Sequence, residues 1–114
     1  MSDHSIDLNP KTFHILVVLA ARPLHGYAIR HEVEERTAGA IRLWPATLYG
    51  ALAELAEGGL IEETAQPEDE PADDRGRRWY ALTAHGRRAL AAEAARLEEL
   101  AGLARARLGL GEAT

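Results

Sequence analysis

Histidines, carboxylates and arginines are the side chains of this chain that could carry chemistry, and their spacing decides which kind. The five histidines include no i, i+4 pair with an intervening glutamate, and none has a second ligand at zinc spacing. The absence of cysteine removes thiolate metal sites, disulfides and cysteine nucleophiles. Neither Gly-x-Ser-x-Gly nor a glycine-rich phosphate loop occurs. The sequence therefore predicts a protein that is not an enzyme and that holds no metal or cofactor.

Two hydroxyl groups, those of Thr47 and Tyr49, lie on a predicted helix that begins at Trp44-Pro45. Leucines at i, i+4 and i+7 (Leu48, Leu52 and Leu55) form its buried stripe. The outward residues are then Ala46, Thr47, Tyr49, Gly50 and Ala53. Such small side chains can approach the floor of a major groove, and the hydroxyls and the helix N-terminus suit phosphate oxygens. The alternative for Tyr49 is packing against the preceding helix.

The composition is that of one globular domain without a membrane segment. Hydrophobic residues make up 46% and charged residues 27% of the 114 positions, and no apolar run approaches the roughly 18 residues of a membrane span. The N-terminus carries acids where a signal peptide needs positive charge, so we expect a cytoplasmic protein with no membrane partner. The net charge of −5 argues against a polyanionic partner unless the cations are clustered.

Two further helices are predicted before Trp44. Asn9-Pro10 is a helix entry, since asparagine is a favoured N-cap and proline loses no hydrogen bond at the first helical position. This first helix runs to Ala21, and apolar residues cover most of its circumference, which indicates a central helix or one in a subunit interface. A second helix is predicted from about Leu24 to Arg36, with Gly26 letting two helices approach and Tyr27 burying its ring. Its residues facing the first helix are Tyr27, Ile29 or Arg30, and Val33.

Two β-prone runs follow and predict a hairpin. Gly58-Gly59 ends the third helix, with one glycine in the left-handed conformation. The first strand runs from Leu60-Ile61 to about Ala65, and the second covers Arg77 to Leu82. Thr83 is the expected N-cap of a last helix, which Gly109 and Gly111 fray.

This order of elements predicts a mainly α fold with a small β-hairpin, a winged helix-turn-helix followed by a C-terminal dimerisation helix. Residues 1–8 are expected to form a flexible N-terminal arm, residues 9–82 the winged helix-turn-helix domain, and residues 83–114 the dimerisation helix with its frayed tail. The last helix carries an apolar stripe that too little remaining chain can cover, so we expect a second copy to cover it together with the first helix. The dimerisation residues are Phe13, Leu16, Leu90, Ala94, Leu97, Leu100, Ala101, Ala104 and Leu108.

Three stretches of the chain carry a family resemblance. They read Leu24-His25-Gly26-Tyr27-Ala28-Ile29, then Pro45-Ala46-Thr47-Leu48-Tyr49 with Leu52, Leu55 and Gly59-Leu60-Ile61, and finally Tyr80-Ala81-Leu82-Thr83-Ala84-His85-Gly86-Arg87-Arg88-Ala89-Leu90. Each alone is weak. All three in this order, at a spacing that fits a wing, resemble the PadR family of transcriptional regulators from about Leu16 to Leu90.

The resemblance implies a sequence-specific, DNA-binding transcriptional regulator: a homodimeric repressor that binds a palindromic operator in double-stranded DNA and is often released by a small-molecule effector. It places the third helix and the returning edge of the wing on DNA. The implied DNA-binding residues are Pro45, Ala46, Thr47, Tyr49, Gly50, Arg75, Arg77 and Arg78. A solvated charged edge is the alternative for the arginines. We expect Lys11, Arg22 and His25 to be solvated rather than bound to DNA.

The loop between the strands departs from this pattern. It contains five acids, which would repel a phosphate backbone: Glu68, Asp69, Glu70, Asp73 and Asp74. One alternative is therefore a winged-helix protein-interaction module that has lost DNA binding. Another is a ligand sensor with a pocket between subunits, for which Trp44 and Trp79 are the aromatic candidates, although core packing is favoured for Trp79.

Overall fold

A computed structural model describes residues 8–70 and 76–110 of the chain. Its elements are helix α1 (Pro10–Ala21), strand β1 (Leu24–His25), helices α2 (Gly26–Arg36) and α3 (Pro45–Glu57), strands β2 (Ile61–Thr64) and β3 (Trp79–Leu82), and helix α4 (Ala84–Arg107). The expected winged, mainly helical architecture is confirmed, but the sheet has three antiparallel strands in the order β1-β3-β2 instead of two. Over the described ranges, no helix is long and apolar enough to cross a membrane.

Helix α1 begins where the sequence predicts and lies at the centre of the core. Asn9 Oδ1 accepts a hydrogen bond from the Thr12 backbone N–H at 3.0 Å, and Thr12 Oγ1 accepts one from the Asn9 N–H at 2.9 Å, which is a reciprocal capping box. Contacts with α2, β3 and α4 make α1 a central helix. Leu16 is 0% exposed, so its assignment to a dimer interface is wrong: the chain's own core encloses it.

The predicted N-terminal arm falls mostly on residues 1–7, which lie outside the described residues. Leu8, its last residue, packs half-buried against the core, so the domain begins one residue earlier than predicted. Arg75, Asp73, Asp74 and Gly111 also lie outside the described residues.

The start of α2 differs from the prediction. Leu24 and His25 pair with Tyr80 and Trp79 of β3 instead of forming a helical turn, and α2 begins at Gly26. Ile29 and Val33 face the core as expected. Tyr27 does not, since it lies about 160° around the helix from Ile29, and its ring is 59% exposed.

The hairpin strands are shorter than the predicted runs because β2 ends at Thr64 and β3 starts at Trp79. Glu62 pairs with Ala81 and Thr64 with Trp79 across the antiparallel ladder. The residues from Gly76 to Arg78 therefore lead into the sheet without belonging to it. We call β2, β3 and residues 76–78 the wing.

Hydrogen bonds link the end of α3 to the start of α4. The α3 stripe of Leu48, Leu52 and Leu55 is buried as predicted, and Gly59 takes the left-handed conformation with φ +79°. Thr83 caps α4 by accepting from the Gly86 N–H at 2.9 Å. Its hydroxyl also lies 2.6 Å from the Gly59 carbonyl oxygen. A Cβ on the buried Gly86 would overlap the Leu60 carbonyl oxygen and lie 2.8 Å from Leu82 Cδ1.

Helix α4 leaves the domain after its second turn. Ala89 and Leu90 pack against the core, but along the following residues as far as Leu110 the side chains are exposed, apart from the half-buried Glu93. The radius of gyration is 16.2 Å, where a compact domain of this size has about 13 Å. The projecting helix contributes to the difference.

Replacing Gly86 by alanine is expected to lower the free energy of unfolding by about 3 kcal/mol, because the methyl group meets a backbone carbonyl that cannot move without opening the α3–α4 junction. Denaturant unfolding followed by circular dichroism measures the change. Gly50→Ala is the control: a Cβ there meets nothing within 4 Å, and alanine in a helix interior is expected to add about 1 kcal/mol. Equal stability of the two variants would contradict the packing described.

Candidate nucleic-acid interface

The outward face of α3 is the one that the sequence predicts. Pro45, Ala46 and Gly50 are exposed, Thr47 is half-buried, and Tyr49 is 54% exposed. The side chains of Pro45, Ala46 and Gly50 are small, so another macromolecule can approach the helix backbone closely at these positions.

The N-terminus of α3 differs from those of the other described helices. Asn9, His25 and Thr83 each cap α1, α2 and α4 with a side-chain acceptor. Trp44, the N-cap residue of α3, makes no side-chain cap hydrogen bond. The first N–H groups of a helix have no acceptor within the helix, and the helix dipole favours an anion there. This terminus therefore suits an anionic partner beside Thr47.

The Tyr49 ring packs closely against Gly26, where there is no side chain. Its hydroxyl oxygen lies 3.0 Å, and its Cε1 atom 3.3 Å, from the position that a Cβ on Gly26 would occupy. The ring thus crosses the first turn of α2 in contact with backbone. Tyr49 therefore packs against the second helix, as one of the two alternatives predicted, and keeps more than half of its surface exposed. Its contact with DNA stays a prediction.

Two wing arginines approach the same place. Arg77 is half-buried, with its Nη1 atom 3.0 Å from His25 Nε2 and its guanidinium carbon 5.8 Å from the centre of the Tyr27 ring. Arg78 is exposed, and its Nη1 atom is 3.7 Å from Glu63 Oε2. An exposed ion pair of this length holds its partners weakly, which leaves Arg78 able to turn toward another anion. Arg75 falls outside the described residues.

One open cleft of about 330 Å³ joins the α3 tyrosine to both wing arginines. It is lined by Gly26, Tyr27, Tyr49, Gly76, Arg77, Arg78 and Tyr80. None of the described acidic residues lines it. Glu68, Asp69 and Glu70 are exposed beyond the end of β2, where the Glu70 N–H donates to the Pro67 carbonyl.

The two tryptophans and the cations near the starts of α1 and α2 lie outside this cleft. Trp79 is 6% exposed, which confirms core packing, whereas Trp44 is 59% exposed with the Arg30 guanidinium 6.0 Å from its ring centre. Lys11 is exposed, and the exposed Arg22 forms a 2.8 Å ion pair with Glu32.

Gly26, Tyr27, Gly76 and Tyr80 line the cleft but were not predicted as DNA-binding residues. His25, which was expected to be solvated, contacts the cleft residue Arg77. It is half-buried, not solvated, because its backbone belongs to β1 and its Nδ1 atom accepts from the Ala28 N–H at 3.1 Å. The sequence signal was its position just before a helical glycine, where an N-cap belongs. Histidine is not among the common N-cap residues.

Comparison with known proteins gives a family match over most of the core. The Transcriptional regulator PadR-like family matches residues 15–92. An uncharacterised 37.1 kDa protein in transposon TN4556 of Streptomyces fradiae is 39% identical over 89 residues, which are 77% of this chain. The chain spans only 23% of that relative's length.

Solved structures show the same fold. A PadR family transcription regulator from Clostridium difficile R20291 superposes with a TM-score of 0.72 at 25% identity, covering 88% of this chain and 99% of that one. RosR from H. salinarum superposes with a TM-score of 0.63 at 28% identity, covering 80% of this chain and 74% of that one.

Proposed function

The chain belongs to the PadR-like family of transcriptional regulators, and from this premise we propose that it is a homodimeric repressor that binds a palindromic operator in double-stranded DNA. The observation that carries the proposal is the cleft in which Tyr49 of α3 and Arg77 and Arg78 of the wing meet. The α3 face supplies close approach to a groove floor, and the wing supplies cations for the adjoining phosphates.

The proposed division of labour within a half-site follows from side-chain chemistry. Thr47 and Tyr49 offer hydroxyl groups, which donate readily to phosphate oxygens, while Pro45, Ala46 and Gly50 carry no group that reads a base edge. Arg77 and Arg78 offer guanidinium forks that fit phosphate. We place Arg75 with them by the family resemblance. These residues position the protein on the duplex, and operator sequence is read mainly through fit and DNA shape.

Dimerisation through α4 is proposed from its exposed apolar face. Leu97 is 39%, Leu100 47% and Leu103 49% exposed, and Leu108 and Leu110 are more exposed still. With Leu90, Ala94, Ala101 and Ala104, the leucines from Leu97 to Leu108 form one stripe, whereas Leu110 lies beyond the end of α4. A contiguous apolar stripe on a projecting helix is typical of a protein–protein contact. Phe13, half-buried on α1, adjoins this surface in the proposal. A two-fold dimer of this kind calls for half-sites about one DNA turn apart.

Release by a small molecule is part of the proposal, with Trp44 as the candidate contact. Its exposed ring and the nearby Arg30 guanidinium form an aromatic and cationic surface directly ahead of α3. A ligand bound there would touch the residue from which the DNA-facing helix starts.

The salt dependence of DNA affinity is expected to show whether the wing arginines contact phosphates. Fluorescence anisotropy with a labelled duplex from upstream of the coding sequence is expected to show preference over a scrambled duplex. For four neutralised phosphates per dimer, affinity falls about 10²-fold between about 50 and 200 mM salt. Arg78→Gln lowers the slope of log affinity against log salt by about 2 per dimer. Lys11→Gln, a cation outside the cleft, leaves it unchanged. No preference at low salt would favour the protein-interaction alternative.

Gly26→Ala is expected to weaken DNA binding by displacing Tyr49, because the new Cβ would lie 3.0 Å from the tyrosine hydroxyl. We expect a loss of about tenfold, the same as for Tyr49→Phe, which removes one hydrogen bond to a charged group. The loss is equal on native and scrambled duplexes. On a Tyr49→Ala background, Gly26→Ala has no further effect. Additive losses in this double-mutant cycle would show that Gly26 acts by another route.

Ala101→Glu is expected to convert the dimer into a monomer of 12.4 kDa, because it places a charge in the middle of the apolar stripe. Light scattering after gel filtration measures the mass, and DNA affinity falls with it. Ala95→Glu is the matched control, since Ala95 is exposed on α4 but lies about 120° around the helix from Ala101 and about 80° from Leu103. A dimeric Ala101→Glu variant would refute the assignment of this stripe.

A further inference from the structure

A row of three residues on α2 lies along the start of α3. Gly26, Arg30 and Glu34 are spaced four apart, so they follow one another along the same face of the helix. A Cβ on Gly26 would contact the Tyr49 ring. The Arg30 guanidinium carbon lies 6.0 Å from the centre of the Trp44 ring. Successive turns of α2 therefore meet α3 and the residue before it in reverse chain order.

Arg30 lacks the ion pair that its position on α2 offers. Arginine and glutamate side chains four residues apart on a helix are neighbours that can pair, but the Glu34 carboxylate lies 3.5 Å from Arg42 Nε instead. In the parts of the chain that the structure describes, Arg30 forms no hydrogen bond or ion pair, and its guanidinium lies over an uncharged ring. Its positive charge and its five N–H donors are thus available to another partner.

The stack of Arg30 on Trp44 is open to solvent. Trp44 is 59% exposed, and Arg30 is half-buried. The face of an indole ring attracts a cation within about 6 Å of its centre, and it holds the guanidinium without neutralising it. A stacked arginine loses less conformational freedom when it binds an anion than a freely moving one does.

The position of this stack relative to the wing decides which anion it would meet. The wing is joined to α2 through His25, whose strand β1 pairs with β3. Arg30 lies four residues beyond Gly26, about 6 Å farther along α2 from that strand. Tyr49 adjoins the wing arginines in the cleft, whereas Trp44 lies outside the cleft and directly precedes the outward residues of α3. The stack and the wing therefore flank the outward face of α3 on two sides.

We propose that Arg30, positioned by Trp44, binds a phosphate of the DNA backbone on the side of α3 away from the wing. This inference rests on the proposed function and raises the phosphates neutralised per dimer from about four to about six. Phosphates border a major groove on both sides, so cations on both flanks of α3 would fix its position across the groove. A small molecule seated on the Trp44 ring, as proposed above, would take away the support of Arg30.

Replacing Arg30 by glutamine tests the contact on the tightest duplex that the wild-type protein selects from a random-sequence pool. Arg30→Gln is expected to lose about tenfold in affinity per half-site, the value of one hydrogen bond to a charged group. The slope of log affinity against log salt falls by about 2 per dimer, and Arg30→Lys restores that slope. Arg36→Gln is the matched control: Arg36 is exposed at the end of the same helix, and its replacement leaves affinity and slope unchanged.

Trp44 is expected to act through Arg30. Trp44→Leu keeps an apolar side chain but removes the indole face, and it costs about threefold in affinity per half-site. On an Arg30→Gln background, the same replacement costs nothing further. Additive losses in this cycle would overturn the positioning role of Trp44.

Neutral methylphosphonate linkages, introduced one position at a time, locate the phosphate. We expect one linkage per half-site to weaken binding of the wild-type protein and of Arg78→Gln, but to cost Arg30→Gln much less. Loss of sensitivity at the same linkage in both variants would place Arg30 beside the wing and refute the proposed position.

The salt slope distinguishes failure of this contact from failure of the proposed function. A wild-type slope in Arg30→Gln, with or without a loss of affinity, would overturn the Arg30 contact and leave the proposed function intact, because a purely structural role changes no phosphate contact. If no duplex is selected from the pool, the proposed function itself fails, and the Arg30 contact with it.

Discussion

The pairing of β1 with β3 is the constraint on which the candidate interface depends. Two residues, Leu24 and His25, are enough to fix the first turn of α2 against the strand that ends the wing. Gly26 then lies under the Tyr49 ring, and His25 lies beside Arg77. Without this short strand, the first turn of α2, which lies between Tyr49 and Arg77, would have no backbone pairing with the wing.

The sequence predicts those parts of the fold that depend on interactions between residues close together in the chain. The caps at Asn9 and Thr83, the stripe from Leu48 to Leu55 and the left-handed Gly59 each follow from local chemistry, and each is confirmed. Strand β1 is different because its partner, Tyr80, is more than fifty residues away. Two residues have no periodicity, so nothing local distinguished them from the first turn of a helix.

The difference between local and long-range interactions also explains which parts of the candidate interface the sequence predicts. The outward face of α3 could be predicted, since it is the complement of a leucine stripe. The roles of Gly26, Tyr27 and His25 could not, because they depend on which side chain from another element arrives opposite each of them. Tyr27, expected in the core, lies outside because Ile29 and Val33 define the buried face of α2 and Tyr27 is about 160° around the helix from Ile29.

The net charge of −5 is compatible with a DNA partner because charge acts through its position. At physiological salt a surface charge is screened beyond about 8 Å, so a phosphate in the cleft would respond most to the charges nearest to it, and among the described residues the charged side chains that line the cleft are Arg77 and Arg78. Such a protein gains little from non-specific attraction. In the proposed complex, affinity for DNA comes from fit, and fit requires that the two DNA-facing helices of a dimer be held at a fixed spacing.

In the proposed dimer, that spacing depends on the junction of α3 and α4. The Thr83 hydroxyl caps α4 and also lies 2.6 Å from the Gly59 carbonyl oxygen and 3.1 Å from that of Leu60. The Thr83 N–H donates to Leu60 as well, and Gly86 packs against the same carbonyl without room for a side chain. Helix α4 therefore cannot pivot freely relative to α3. In the proposed dimer, the crossing angle of the two α4 helices determines the distance between the two DNA-facing helices, so a ligand of the proposed kind that changed this angle would change the fit to both half-sites at once.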